Sequence, residues 1–273
     1  MVEPSGAVRP AEVPKTKQQA LLTDESVSAL RKYRQLIVGD LRWSAFLRYE
    51  LLTVFLTGLG GSLGLWLRQK LYRFLFHRMG RGVAIGRYVT LRAPFHIALG
   101  DRVVLEDFVL LDGRGDSEKP PRLILGDDVF IGRGTHLVCR GGTIRIGTGA
   151  NIGPHCLIQS VREVVVEDHV LFAPFVYVAG ATRHYDRLDV PVIGQPTSSQ
   201  GVYIGRGTWV GAHVFIDDGV RIGRDCIIGA GSVVLHDIPD YAIAYGVPAR
   251  VARLRTSPRT EGLGPSEPDT TGP

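Results

Sequence analysis

From Ile204 to Val234 the chain reads IGRGTWVGAHVFIDDGVRIGRDCIIGAGSVV, and an aliphatic residue returns at every sixth position: Ile204, Val210, Ile216, Ile222, Ile228 and Val234. An amphipathic helix repeats at about 3.6 residues and a half-buried strand at about 2. A period of six fits neither. It predicts a coil of short strands in which each six-residue unit is one side of a stacked solenoid. A second column keeps the same register: Thr208, Val214, Val220, Cys226 and Ser232, each four after an aliphatic residue, are small or β-branched, as a narrow interior requires.

The same phase recurs upstream in Leu99/Leu105/Leu111, Leu125/Ile131/Leu137, Ile146/Ile152/Ile158 and Val166/Phe172/Val178. Val129/Thr135, Ala150/Cys156 and Val170/Val176 continue the small column. Between these groups the register slips, which predicts loops leaving the coil. The aliphatic residue is repeatedly followed by Gly and polar residues, as in Ile131-Gly132-Arg133-Gly134, Ile146-Gly147-Thr148-Gly149 and Ile222-Gly223-Arg224-Asp225. Gly and Asp suit corners that need positive φ.

On these residues the chain resembles the hexapeptide-repeat acyltransferases, the maltose and galactoside O-acetyltransferase type and its polysaccharide O-acetyltransferase branch. Gly229-Ala230-Gly231-Ser232-Val233-Val234, Asp237-Ile238-Pro239 and Gly246-Val247-Pro248-Ala249-Arg250 are similar to the family's closing signature. The resemblance covers residues 82–255 and implies a mainly β fold, a left-handed parallel β-helix of triangular section, with an N-terminal α-helical appendage. The same fold also carries carbonic anhydrases and non-catalytic solenoids, so activity has to be argued from sites.

At 273 residues and 44% hydrophobic content the chain can build one substantial core, and a solenoid needs no second one. Residues 1–22 and 256–273, rich in Pro and polar residues, read as disordered tails. Cys139, Cys156 and Cys226 are odd in number and far apart, which fits buried thiols in a reducing compartment. Met1 to Lys17 lacks the apolar core of a secretory signal, so a cytoplasmic protein is expected. The net charge of +5 comes without a nucleic-acid-binding motif, and no nucleic-acid partner is expected.

Residues 23–81 differ in kind. Asp24 is placed to cap a helix whose Val27, Leu30, Tyr33 and Ile37 share a face. Trp43, Phe46, Leu47 and Leu51 form a second apolar stripe, and Trp66, Leu71, Phe74 and Leu75 a third, flanked by Lys and Arg. The segment reads as a cap on the open end of the coil, as a cap that also docks on a membrane surface, or, through the uncharged run Leu51 to Leu67, as a span of marginal length.

The longest departure from the repeat is Ala179 to Gly201. In the resembled family a histidine of this loop is the general base that deprotonates the acceptor hydroxyl as it attacks the thioester of coenzyme A. His184 is the only histidine here, although the slot two before the aromatic Tyr185 is Arg183. Imidazole suits the task because it titrates near neutrality. Asp186 or Asp189 is expected either to orient His184 or to bind acceptor hydroxyls. His155, His169 and His213 fall three after an aliphatic residue and so point outward at corners. Their spacing lacks the close pair of the zinc-dependent carbonic anhydrases, and no metal is expected.

The resemblance further implies a homotrimer with acetyl-CoA, or another acyl-CoA, bound between neighbouring subunits. The positions that match are Trp209, Gly211, Ala212, Gly229, Ala230 and Ser232 for the pantetheine, with Arg250 and Arg253 for the phosphates. The implied activity is O-acylation of a sugar hydroxyl on a surface polysaccharide or its lipid-linked precursor. The competing readings are a non-catalytic scaffold or binding module and a metal-dependent hydratase.

Overall fold

The computed structural model describes residues 17–39, 42–115 and 121–256. Most of both proposed tails therefore lies outside the described residues, but a short helix α1 (Lys17–Thr23) occupies the end of the first. From residue 78 onward the described residues wind through three sheets of seven, nine and seven strands, in which each strand pairs in parallel with its equivalent one coil away, except the last strand of the second sheet, Ala249–Leu254, which pairs antiparallel with Ala242–Gly246. The sheets are the faces of a prism and are numbered here first, second and third. Val166, Ile204 and Ile222 are successive register partners on the first face, Phe172, Val210 and Ile228 on the second, and Val178, Ile216 and Val234 on the third.

Both columns read from the sequence line the interior. Ile204, Val210, Ile216 and Ile222 are fully buried, as are Thr208, Cys226 and Ser232. Each buried aliphatic side chain contributes about 1.5–3 kcal/mol relative to exposure. Thr208 is tolerated inside because its hydroxyl donates to Gly223 O at 2.8 Å and accepts the Cys226 N–H at 3.1 Å. The three cysteines are free and buried, and burial pushes the Cys139 thiol up to about 12 and the Cys156 thiol to about 11.

The corner grammar differs in one respect from the expectation. Positive φ falls three after the aliphatic residue, at Gly134, Gly149, His155, His169, His213 and Asp225. The Gly directly after the aliphatic residue serves close approach instead. A Cβ at Gly132 would lie 2.6 Å from Pro154 N, and one at Gly223 2.4 Å from Asp240 Oδ1. The carboxylate two after the aliphatic residue accepts a backbone N–H of the preceding coil, Asp168 from Thr148 and Asp240 from Arg224. His155 and His213 project from corners, stacked on either side of Phe175.

The N-terminal segment closes the first coil. Its helices are α2 (Ala29–Tyr33), α3 (Trp43–Leu56) and α4 (Gly61–Leu71). Ser28, not Asp24, caps α2, because the Asp24 carboxylate is taken by the N–H and hydroxyl of Ser26. Arg68 is buried, so it is a clamp and not a flanking charge. Its Nε donates to Ile85 O at 2.8 Å and its Nη1 to Leu56 O and Leu59 O at 2.9 and 2.7 Å. Arg34 is likewise buried, 4.3 Å above the Trp43 ring. Tyr49 donates to Leu91 O at 2.7 Å and Tyr72 is fully buried. Among the described residues no helix is long and apolar enough to cross a membrane.

Candidate active site

The loop from Ala179 to Gly201 leaves after the third-face strand Tyr177–Val178 and returns at the first-face strand Val202–Ile204. Removing it would cost the coil nothing in register, since Val164 still pairs with Val202 across it. It folds into an arm whose two sides, Thr182–Arg183 and Thr197–Ser198, pair antiparallel. Ser199 Oγ donates to Gly180 O at 2.6 Å, and the Asp218 carboxylate accepts the N–H groups of Gln200 and Gly201 at 2.8 and 2.9 Å, which fixes the root.

His184 follows the paired segment directly. Its N–H donates to Pro196 O at 2.9 Å and its ring is exposed. Next to Pro196, Gln195 is only 4% exposed. Its amide nitrogen donates to Arg187 O at 2.7 Å and Val190 O at 3.1 Å, and its oxygen accepts the Arg187 N–H at 3.2 Å. Arg183 donates to Ile193 O and Gln195 O, both at 3.0 Å. Arg183 thus fills its slot as a strut for the arm.

Neither aspartate joins His184. Asp189 is held in a two-pronged pair by Arg187 at 3.0 and 2.5 Å, and that guanidinium keeps its carboxyl below the usual range. Asp186 is exposed and makes no hydrogen bond among the described residues. A side chain two positions from an arginine on a tight arm is captured locally, before it can reach a histidine further back.

The second set of positions does come together. Gly211-Ala212 and Gly229-Ala230-Gly231 are neighbouring corners between the second and third faces, joined by the Gly231 N–H to Ala212 O bond at 2.8 Å. The N–H groups of Ala212 and Ala230 meet no acceptor among the described residues. Trp209, Ile227, Ile243 and Arg253 are successive register partners on the second face. At about 4.8 Å between strands, Arg253 stands roughly 14 Å from Trp209 along an apolar row. Arg250 and Arg253 form no ion pair among the described residues. Ser232 is different: it is buried, with its hydroxyl between Gly229 O and the Gly246 N–H, so it shapes the corner and does not face a ligand.

The arm leaves from the edge between the third and first faces, while this corner column runs along the edge between the second and third. No hydrogen bond or ion pair joins the two among the described residues. Two shallow hollows of about 370 and 270 Å3 on the first face share Glu167 and Arg206 and touch neither set.

The bacterial transferase hexapeptide profile, built of six repeats, matches residues 201–236. A Saccharomyces cerevisiae protein named for acetyltransferase activity, YJL218W, is 32% identical over 162 residues, covering 57% of this chain and 80% of the yeast protein. The chain belongs to the hexapeptide-repeat transferase family. Galactoside O-acetyltransferase of Lactococcus lactis is 35% identical over 129 residues, which are 47% of this chain and 61% of that protein. Rv3034c of Mycobacterium tuberculosis, also named for acetyltransferase activity, is 33% identical over 134 residues, covering 49% of this chain and 45% of that protein. The chain thus spans about half the length of these two bacterial relatives.

With the family established, the coil of short strands that the six-residue period predicted is the left-handed parallel β-helix that the resemblance implied. What the sequence left unassigned are the supports of the arm. Gln195 carried no signal beyond its position in the loop, whereas Asp218 lies two after Ile216, the slot at which carboxylates bind the preceding coil elsewhere.

Proposed function

We propose that this hexapeptide-repeat protein is a coenzyme A-dependent O-acyltransferase, using acetyl-CoA, that works as a homotrimer. The carrying observation is the division of one chain's candidate groups between two edges of the prism. A base on one edge and a small-residue corner column on another meet when a neighbouring copy lays its column against the arm. The arm tip supports such an interface, since Leu188 is 99% exposed and Tyr185, Val192 and Ile193 are also exposed.

In this reading the His184 imidazole takes the proton of the acceptor hydroxyl as its oxygen attacks the thioester carbonyl. The new C–O bond forms, the C–S bond breaks, and His184 returns the proton to the departing thiolate. Pantetheine amides pair with the open N–H groups of Ala212 and Ala230, its chain follows the row from Trp209, and Arg250 and Arg253 meet the phosphates. Asp186 is left to bind the acceptor.

The acceptor is a sugar hydroxyl, supported by the galactoside O-acetyltransferase name of the lactococcal relative. We assign it to a surface polysaccharide or its lipid-linked precursor, with residues 23–81 in contact with the inner face of the membrane that carries it. The test is calorimetry with coenzyme A on wild type and His184→Ala, together with acetyl transfer to a galactoside. Both proteins are expected to bind coenzyme A, and the variant to lose about 10²- to 10⁴-fold in turnover. Absence of coenzyme A binding by the wild type would leave a non-catalytic solenoid.

A further inference from the structure

Helix α3 is apolar on the side it buries and on the side it does not. Ala45, Tyr49 and Leu56 face the protein. On the opposite side Trp43, Leu47, Leu51, Val54 and Phe55 are 56–68% exposed. At the helical rotation of one residue these five occupy one arc of about 120°. Leu63 and Trp66 of α4, and Phe74 just beyond it, are exposed as well, by 53–60%. A run of large apolar side chains bare to water marks a contact surface.

The charges around it say what the contact is. Between Val27 and Arg81 there are ten Lys and Arg against Asp40 and Glu50, and setting aside the buried Arg34 and Arg68 still leaves eight. Glu50 is occupied, accepting the Tyr33 hydroxyl at 2.7 Å. Arg48, at the edge of the α3 arc, and Lys70, Arg73 and Arg78 are exposed and form no ion pair among the described residues. A second copy of the chain would bring an identical basic rim against this one, a repulsive arrangement. A leaflet rich in anionic phospholipid offers acyl chains to the apolar arc and phosphates to the rim.

We propose that the bare face of α3, with Leu63, Trp66 and Phe74, lies in the plane of an anionic leaflet at the boundary of headgroups and acyl chains, with Arg48, Lys70, Arg73 and Arg78 on the phosphates. This deepens the membrane contact of the preceding reading and rests on it, but not on acyl transfer. It also puts the Arg68 clamp and the coil on the water side of the helices, so the N-terminal end of the prism faces the membrane.

The test uses the full chain and vesicles of phosphatidylcholine, with and without phosphatidylglycerol. Wild type is expected to co-sediment with the anionic vesicles about tenfold more than with the neutral ones, and to be released by salt. Leu47→Glu/Leu51→Glu/Phe55→Glu is expected to lose that binding with melting temperature and sedimentation coefficient unchanged. Arg48→Glu/Lys70→Glu, which leaves the apolar face intact, is expected to lose the preference for anionic lipid. Brominated acyl chains should quench the tryptophan fluorescence of the wild type and not that of the triple variant. Wild type that stays in the supernatant, or a triple variant that still sediments, overturns the proposal. So does a triple variant that becomes a smaller oligomer without lipid, which would make the face a subunit interface. Coenzyme A calorimetry on the same proteins separates the two readings, because vesicle binding without coenzyme A binding sinks the transferase and leaves the docking face standing.

Discussion

Asp168 reaches from its corner to the coil before it, where Oδ1 accepts the Thr148 N–H at 2.7 Å and would lie 2.4 Å from any Cβ placed on Gly147. The backbone N of Asp168 is also only 2.6 Å from that point, so a flexible side chain cannot simply swing away. Gly147→Ala is therefore expected to destabilise by about 1–3 kcal/mol, the range for forcing an extra carbon into a packed site. At a few degrees per kcal/mol for a protein of this size, thermal melting should register it. Gly231 is the control, with φ of 70° and nothing within 4 Å of an added Cβ, so Gly231→Ala carries backbone strain alone and should cost less. Equal losses would mean that close approach is not what selects Gly at the corner.

Why the coil was legible and the site only partly so follows from the same residues. Ile204, Ile222 and their column repeat at a fixed interval, and burial acts on each separately, so a period in the sequence becomes a face in the structure. The arm has no period. His184 is placed by a bond from its N–H to Pro196 O, twelve residues on, through backbone groups that every residue possesses, and the Gln195 amide that ties down Arg187 and Val190 carries no period either. The capture of Asp189 by Arg187 depended on a local turn that residue types do not specify. The exposed side of α3 was visible as apolar residues, but helix periodicity alone could not tell the buried from the bare half when both are apolar.

Acid sensitivity is expected at the first corners of the coil. Burial disfavours the ionised Asp107, but the Arg87 N–H at 2.7 Å, the Arg87 guanidinium at 3.0 Å and Arg133 outweigh it and hold the carboxyl below its usual range. A lowered folded-state value means stability that is present above the unfolded value of about 3.9 and lost as pH falls through the folded one. Asp107→Asn should thus melt below the wild type at neutral pH, with the gap closing as the pH drops beneath the ordinary carboxylate range. A gap that stayed constant down to strong acid would place the effect in packing and not in charge.

Arg250 pairs in register with Tyr245 on the closing hairpin and has no carboxylate partner among the described residues. If it meets phosphate, Arg250→Glu should weaken coenzyme A more than dephospho-coenzyme A, because a reversed charge acts chiefly on the additional phosphate. Calorimetry with both ligands checks this. Equal losses would move Arg250 away from the 3′-phosphate and leave Arg253, at the end of the Trp209 row, as the candidate.

Gln195 is the sharpest test of the arm. Its buried amide makes three bonds to the backbone of Arg187 and Val190, and the next residue, Pro196, holds the His184 N–H. Gln195→Ala removes those bonds without touching the coil, so melting temperature should change little while the tip gains freedom. A base displaced by about 1 Å can cost on the order of 10²-fold in rate. Turnover should accordingly fall toward that extent with coenzyme A affinity unchanged, and the amide of Arg187 should lose protection from hydrogen exchange. Gln195→Glu is the stricter variant, since a carboxylate cannot donate to the two carbonyls and should not rescue the rate. Near-parent turnover in both variants would mean that His184 is held by the root of the arm alone.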